Sequence, residues 1–191
     1  MKILYYSLIL LLWIAYQIYW WIKAKNVKQT EQVHESIRSR LVRLSAMVSA
    51  IVLLIFQNIP MNILDEYFIP MGYTVYSIGI VFTAIGLIFS AWARHHLGSN
   101  WSQAITIKED HRLITSGQYA FVRHPIYTGL LLALIGTAIA IGKWRGLIAV
   151  ALVFTVLMYK LRLEEKLMQV QFGNSYKEYS RQVSALIPYI I

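Results

Sequence analysis

The feature that most limits how this chain can fold is a set of five apolar runs separated by basic segments: Ile3 to Ile22, Leu44 to Ile59, Met71 to Ala93, Ile126 to Ile141 and Trp144 to Leu161. A helix crossing a bilayer needs roughly 20 mainly apolar residues, because the hydrocarbon core is about 30 Å thick and a helix rises about 1.5 Å per residue. The runs therefore predict an all-α polytopic membrane protein with five transmembrane helices. Cytoplasmic loop and C-terminal helices should complete one integral-membrane domain over residues 1–191. The first run reads as a span and not as a signal peptide: its basic start is Lys2 alone, the run is long, and no small-residue cleavage site follows. With 58% apolar and 14% charged residues, the chain could not cover a soluble core. That balance excludes a disordered protein, a coiled coil and a typical cytosolic enzyme.

The basic residues set the expected orientation. Segment 23–43 holds six, segment 94–125 holds four, and the end of the fifth run with the tail holds five. The opposite side holds three: Lys2, Lys143 and Arg145. The N-terminus should therefore face out, and the C-terminus should face the cytoplasm. Segment 60–70 carries Asp65, Glu66 and no base, as an outside loop should. The net charge of +9 lies beside apolar runs and not along one polar face. It reads as membrane orientation, with membrane lipid as a partner and no nucleic acid.

The fourth and fifth runs are joined by Gly142-Lys143-Trp144-Arg145-Gly146, which predicts a tight helical hairpin. Its charged tip should reach water. A hairpin that enters and returns without crossing is the competing reading. Gly129, Ala133, Gly136 and Ala140 recur at steps of four, three and four and share one helix face. Small residues on one face let helix backbones approach closely in lipid. The simplest neighbour for that face is the fifth run.

Two clusters could carry chemistry. The first is the stretch from Gly117 to Gly129, with Tyr119, Arg123, His124, Pro125, Ile126 and Tyr127. Pro125 suits the first turn of a helix, where a missing N–H costs nothing. The free N–H groups and dipole of that helix start favour an anion. The plainer reading makes Arg123 a membrane anchor and the tyrosines an aromatic belt. The second cluster is Lys160-Leu161-Arg162-Leu163-Glu164-Glu165. Lys160 and Glu164 share a helix face, and Glu165 points about 100° away. A snorkelling base and an interfacial helix would also explain this pattern. Two adjacent acids at an anionic membrane surface are harder to dismiss, and they suit a cationic ligand.

Other signals are weaker. His95-His96 has no i,i+4 partner and His34 stands alone, so no metal site is expected. The chain has no cysteine, which removes disulfides, thiolate nucleophiles and Cys-based zinc or iron–sulfur sites. No Ser-His-Asp pattern, phosphate-binding Walker loop or dinucleotide fingerprint is present.

Taken together, these motifs resemble the isoprenylcysteine carboxyl methyltransferase family of integral-membrane enzymes. The resemblance rests on Gly98-Ser99-Asn100-Trp101, His111-Arg112-Leu113-Ile114, Gly117-Gln118-Tyr119 and Arg123-His124-Pro125-Ile126-Tyr127. It continues through Glu164-Glu165, Phe172-Gly173, Tyr176, Tyr179 and Pro188. It covers residues 98–191, which would be the cofactor-binding and catalytic half. The size of the chain suggests a small prokaryotic member, archaeal in type.

The resemblance implies S-adenosylmethionine as cofactor and S-adenosylhomocysteine as product. It implies a cofactor pocket of His111, Arg112, Leu113, Ile114, Gly117, Tyr119, His124, Pro125, Ile126, Tyr127 and Glu164. Lys160 or Arg162 would hold the acceptor, with Glu165 beside them at the reacting end. The implied reaction is direct methyl transfer to the carboxylate of a lipophilic, prenylcysteine-like acceptor, without metal. Three alternatives stand beside it. Phospholipid N-methyltransferases share a similar C-terminal pattern. NADPH-dependent sterol reductases carry a related Arg-His-Pro-x-Tyr element, commonly with Asn where this chain has Ile126. A non-enzymatic membrane scaffold is the third.

Overall fold

The structure is a computed structural model that describes residues 2–24, 30–33, 37–56, 60–98, 106–108 and 113–188. Its five α-helices follow the five apolar runs: α1 (Lys2–Ala24), α2 (Ile37–Ile55), α3 (Tyr73–Leu97), α4 (Pro125–Ile141) and α5 (Trp144–Gln182). Three of them, α1, α3 and α5, are long and apolar enough to cross a membrane, and α4 is a shorter apolar helix. The helix α2 starts seven residues before its apolar run, so Arg40 and Arg43 lie on its first two turns. A short antiparallel ribbon, β1 (Thr30–Val33) with β2 (Thr106–Lys108), adds to the helices. Its β-branched residues suit a strand.

The small-residue face of α4 packs against α3, and not against α5 as the hairpin suggested. The reason lies in α3, where Gly79, Thr83, Gly86 and Ser90 repeat the same steps of four, three and four. The two stripes meet head to tail. A Cβ on Gly86 would lie 2.4 Å from the Ala133 backbone nitrogen, and one on Gly79 2.6 Å from the Ala140 Cβ. Only small side chains permit that approach. Hydroxyls on the seam bond within it. Thr83 donates to the Gly79 carbonyl at 2.8 Å, and Thr137 to that of Ala133 at 2.9 Å. The helix α1 ties on from outside, through Trp13 Nε1 donating to Thr137 Oγ1 at 3.0 Å and the Tyr16 hydroxyl 2.8 Å from Ser90 Oγ.

The helices α4 and α5 run antiparallel. Gly142 closes the turn between them with φ +69°, a conformation that costs a glycine little. Their buried faces form the main core, in which Leu131 and Leu134 pack with Ala149, Val153, Leu157 and Leu161. At the turn of this pair the two bases lie against Asp65. Arg145 is fully buried, with Nη2 2.7 Å from Asp65 Oδ1, and Lys143 Nζ is 3.2 Å from the same oxygen. The Phe68 amide also donates to the Gly142 carbonyl at 2.9 Å. Asp65 is thus shared by both bases of the turn. The Met61 amide, with Lys143 and Arg145, holds the Asp65 carboxyl below its ordinary range.

At its other end α5 runs on past Leu161 to Gln182, where separate helices were expected. Gly173, at φ +53°, breaks it. The chain then returns so that Tyr176 and Tyr179 face the bundle.

Candidate active site

The polar end of the bundle is built where the start of α4 meets the middle of α5. His124 precedes α4, and Pro125 takes its first position, so the proline loses no hydrogen bond. Tyr127 lies on the first turn. Its hydroxyl is 2.8 Å from both Glu164 oxygens and donates to that carboxylate. The His124 and Tyr127 rings stack at 5.5 Å, almost parallel. His124 Nδ1 is 3.8 Å from Glu164 Oε2, and Lys160 Nζ is 3.4 Å from Oε1. The ammonium of Lys160 also lies 5.5 Å from the Tyr127 ring centre. Glu164 therefore has a phenol, a base and an imidazole around it, on the side chain's inward face.

Glu165 does something different. Its Oε1 accepts from Arg123 Nε at 2.7 Å and lies 3.3 Å from His124 Nε2. Arg123 Nη1 donates to the Ser180 carbonyl at 3.0 Å and also to that of Val183. The Arg123 and His124 amides donate to the carbonyls of Ser184 and Ala185 at 2.8 and 3.0 Å, and Thr128 Oγ1 donates to that of Leu186 at 2.7 Å. Arg123 and Glu165 thus clamp the returning tail to the α4 entrance. Tyr179 closes the clamp by donating to the Tyr119 carbonyl at 2.5 Å. The Tyr119 ring stacks on His96, which is 3.1 Å from Ser116 Oγ. Burial, then the nearby Tyr179 and Glu164, holds the Tyr119 phenol above its ordinary value.

These groups open on a cavity of about 1160 Å³. Its polar end is lined by Leu113, Ile114, Tyr119, His124, Ile126, Tyr127, Lys160, Glu164, Tyr176 and Tyr179. It continues as an apolar cleft between α1 and α2. Tyr6, Leu10, Trp13, Gln17 and Trp20 line it from α1, and Met47, Ala50 and Leu54 from α2. The α2 residues recur at steps of three and four along one helix stripe, whereas α1 contributes a broader face that also includes Ile9, Ile14, Tyr16 and Ile18.

Most residues named from sequence meet in this cavity, but not all. Pro125 is buried behind the wall, and Gly117 opens the 3₁₀ turn that carries Tyr119. Glu165 belongs to the clamp, and Arg162 is exposed away from the lining. His111 and Arg112 lie outside the described residues, as does His34. Sequence reasoning missed Arg43, which is buried and lines the cavity from α2. It read as a membrane anchor like its neighbours. The signal was its spacing: four residues before Met47, it continues the cavity-facing stripe.

Residues 78–170 match the sequence profile of the isoprenylcysteine carboxyl methyltransferase (ICMT) family. That segment is similar to the ICMT family. It contains α4, the Arg123 to Tyr127 element, Lys160, Glu164 and Glu165. Among relatives, the protein-S-isoprenylcysteine O-methyltransferase of Schizosaccharomyces pombe is 30% identical over 133 residues, which is 65% of this chain and 55% of that protein. The probable protein-S-isoprenylcysteine O-methyltransferase of Oryza sativa subsp. japonica is 31% identical over 116 residues, 59% of this chain and 61% of that one. The chain thus spans little more than half the length of these ICMT relatives. A solved structure, that of the eukaryotic intramembrane Ras methyltransferase ICMT, superposes with a TM-score of 0.53 at 24% identity. The superposition covers 83% of this chain and 55% of that one, and it shows a shared fold.

Proposed function

We propose that this chain is an S-adenosylmethionine-dependent methyltransferase that esterifies the carboxylate of a lipophilic, prenylcysteine-like acceptor at the membrane surface. The observation that carries the reading is the single cavity joining the Glu164 cluster to an apolar cleft, within a segment similar to the ICMT family. Its volume of about 1160 Å³ lies beyond the usual ~300–1,000 Å³ of a small-molecule site. It has room for a cofactor and part of an acceptor together.

The residues suit the cofactor's chemistry. A carboxylate and tyrosine faces meet at the polar end, where a sulfonium and an ammonium could be stabilised. Leu113, Ile114 and Tyr119 supply the apolar surface an adenine needs. The start of α4 beside His124 suits a carboxylate. When bound, S-adenosylmethionine supplies an electrophilic methyl group on a positively charged sulfur. Glu164 orients that charge, and Tyr127 holds Glu164 in place. Lys160 lines the cavity and Arg162 does not, so Lys160 is assigned to the acceptor carboxylate. That carboxylate is already ionised at neutral pH, so no general base is required. The acceptor oxygen held by Lys160 would take the methyl group through one lone pair, and the donor sulfur would keep the electron pair of the bond it loses. A carboxylate and a sulfonium are neutralised together, which a water-poor pocket favours. The cleft between α1 and α2 takes the lipid tail. In this arrangement all five helices cross the cell membrane, α4 and α5 as a hairpin, with the N-terminus outside and the active site cytoplasmic.

Calorimetric titration of the detergent-purified protein with S-adenosylhomocysteine, and separately with NADPH, tests the reading. Saturable binding of S-adenosylhomocysteine alone supports it. Binding of NADPH alone points to a reductase, and binding of neither by folded protein overturns the assignment.

A further inference from the structure

We infer that His96, at the end of α3, is a positioning residue for the cofactor: it sets the Tyr119 ring that walls the adenine end of the site. The inference rests on the methyl-transfer reading above and adds to it a side chain that does not itself line the cavity.

Three contacts carry it, all made with the turn that holds Tyr119. His96 Nε2 is 3.1 Å from Ser116 Oγ. A Cβ on Gly117 would lie 3.0 Å from both Cε1 and Nε2 of the same imidazole. Gly117 also takes φ +62°, a conformation that favours glycine. The imidazole then stacks on the Tyr119 ring, 6.3 Å between centres and 24° from parallel, which is within the range of favourable aromatic pairs. One ring is thus fitted to Ser116, Gly117 and Tyr119 together. Adjacent helix positions diverge by about 100°, and the neighbouring His95, exposed like His96, makes none of these contacts.

The turn needs such a support. A lone 3₁₀ turn over Gly117–Ala120 has poor hydrogen-bond geometry and little stability of its own. The Tyr179 hydroxyl ties its backbone by donating to the Tyr119 carbonyl, but that bond fixes a carbonyl and not a ring. His96 backs the ring itself. Tyr119 is buried and lines the cavity with Leu113 and Ile114, the surface assigned to adenine. A wall already ordered before the ligand arrives loses less rotamer freedom on binding. The support is also rigid, because α3 meets α4 closely along the Gly79 to Ser90 stripe. The helix α4 carries Tyr127, which bonds Glu164. His96 therefore fixes the adenine wall relative to the carboxylate that faces the other end of the cofactor.

The test titrates wild type, His96→Ala, His96→Phe, His96→Gln and the control His95→Ala, all as detergent-purified full chains. The ligands are S-adenosylhomocysteine and 5′-methylthioadenosine, which keeps the adenine and ribose and lacks the amino-acid end. Phe keeps a flat ring against Tyr119, and Gln keeps a group able to bond Ser116. His96→Ala should weaken both ligands by the same factor, about tenfold, the upper end of what an aromatic pair contributes. His96→Phe should recover to within about threefold of wild type, His96→Gln should stay near the alanine variant, and His95→Ala should bind as wild type. The KM for N-acetyl-S-farnesylcysteine at saturating S-adenosylmethionine should hold within about twofold throughout. Unchanged affinity in His96→Ala overturns the inference, and so does a better recovery by Gln than by Phe. A rise in acceptor KM as large as the loss of cofactor affinity would show a general loosening of the bundle and overturns it too. In each of these cases, binding by wild type leaves the methyl-transfer reading standing. Wild type that binds neither ligand overturns both.

Discussion

Replacing Glu164 with Gln keeps the size of the side chain and its capacity to accept a hydrogen bond from Tyr127, and removes one negative charge. The carboxylate is 22% exposed, with Lys160 Nζ at 3.4 Å and the Tyr127 hydroxyl at 2.8 Å. A unit charge about 4 Å away interacts with it by about 4 kcal/mol at a dielectric typical of a protein surface, and by about 1 kcal/mol in bulk water. Partial exposure puts the expected loss between these, at about 2 kcal/mol, or about thirtyfold in affinity. The assay is calorimetric titration of wild type and Glu164→Gln with S-adenosylmethionine and with S-adenosylhomocysteine. The two ligands share the ammonium, and only the first carries the sulfonium. Loss of affinity should therefore be greater for S-adenosylmethionine. Tryptophan fluorescence during heating checks that the variant is folded. Equal affinity of folded variant and wild type for both ligands would refute the placement of the cofactor cation against Glu164.

Three further outcomes follow from the geometry. Lys160→Ala should raise KM for the acceptor while Arg162→Ala leaves methyl transfer unchanged, because only Lys160 lines the cavity; equal effects of the two would place the acceptor elsewhere. Gly86→Ala pushes a methyl to 2.4 Å from the Ala133 backbone nitrogen and should destabilise the bundle by about 1–3 kcal/mol, read as a lower midpoint of thermal unfolding; an unchanged midpoint would contradict the α3–α4 seam. Asp65 has its folded pKa lowered, chiefly by the Met61 amide and then by Lys143 and Arg145. Its contribution is present above the unfolded value of about 3.9 and is lost as pH falls through the lower folded value. The gap in thermal midpoint between wild type and Asp65→Asn should accordingly be full at pH 7 and narrow in acid, and a gap that widens in acid would show the sign to be wrong.

The helices were legible because apolar length and basic flanks are strong signals in a membrane protein. The partner of α4 was not, for a particular reason. Its stripe of Gly129, Ala133, Gly136 and Ala140 names what it needs, a second smooth face, and chain proximity suggested α5. The matching stripe of Gly79, Thr83, Gly86 and Ser90 was present in the sequence, partly hidden because two of its members are hydroxyls. Thr83 bonds the Gly79 carbonyl and Ser90 pairs with the Tyr16 hydroxyl, so both act as small residues on the seam. The divergence of Glu164 and Glu165 was readable from helix geometry, and the structure turns one to the cavity and one to Arg123. What Glu165 holds was not readable, because the tail reaches Arg123 through backbone carbonyls, which carry no sequence signal. Nor could hydropathy say that Lys143 and Arg145 would share Asp65, since that depends on two loops meeting at one end of the bundle.

The most direct test of the central claim is the identity of the methylated product. The purified protein is incubated with S-adenosylmethionine carrying a labelled methyl group, in one arm with N-acetyl-S-farnesylcysteine and in another with phosphatidylethanolamine vesicles. The products are read by mass spectrometry before and after mild alkali. Label on the prenylcysteine alone, released by alkali as methanol, is the predicted result and identifies a carboxylate ester. Alkali-stable label on the phospholipid amine, or no labelled product in either arm from protein that binds the cofactor, would contradict it.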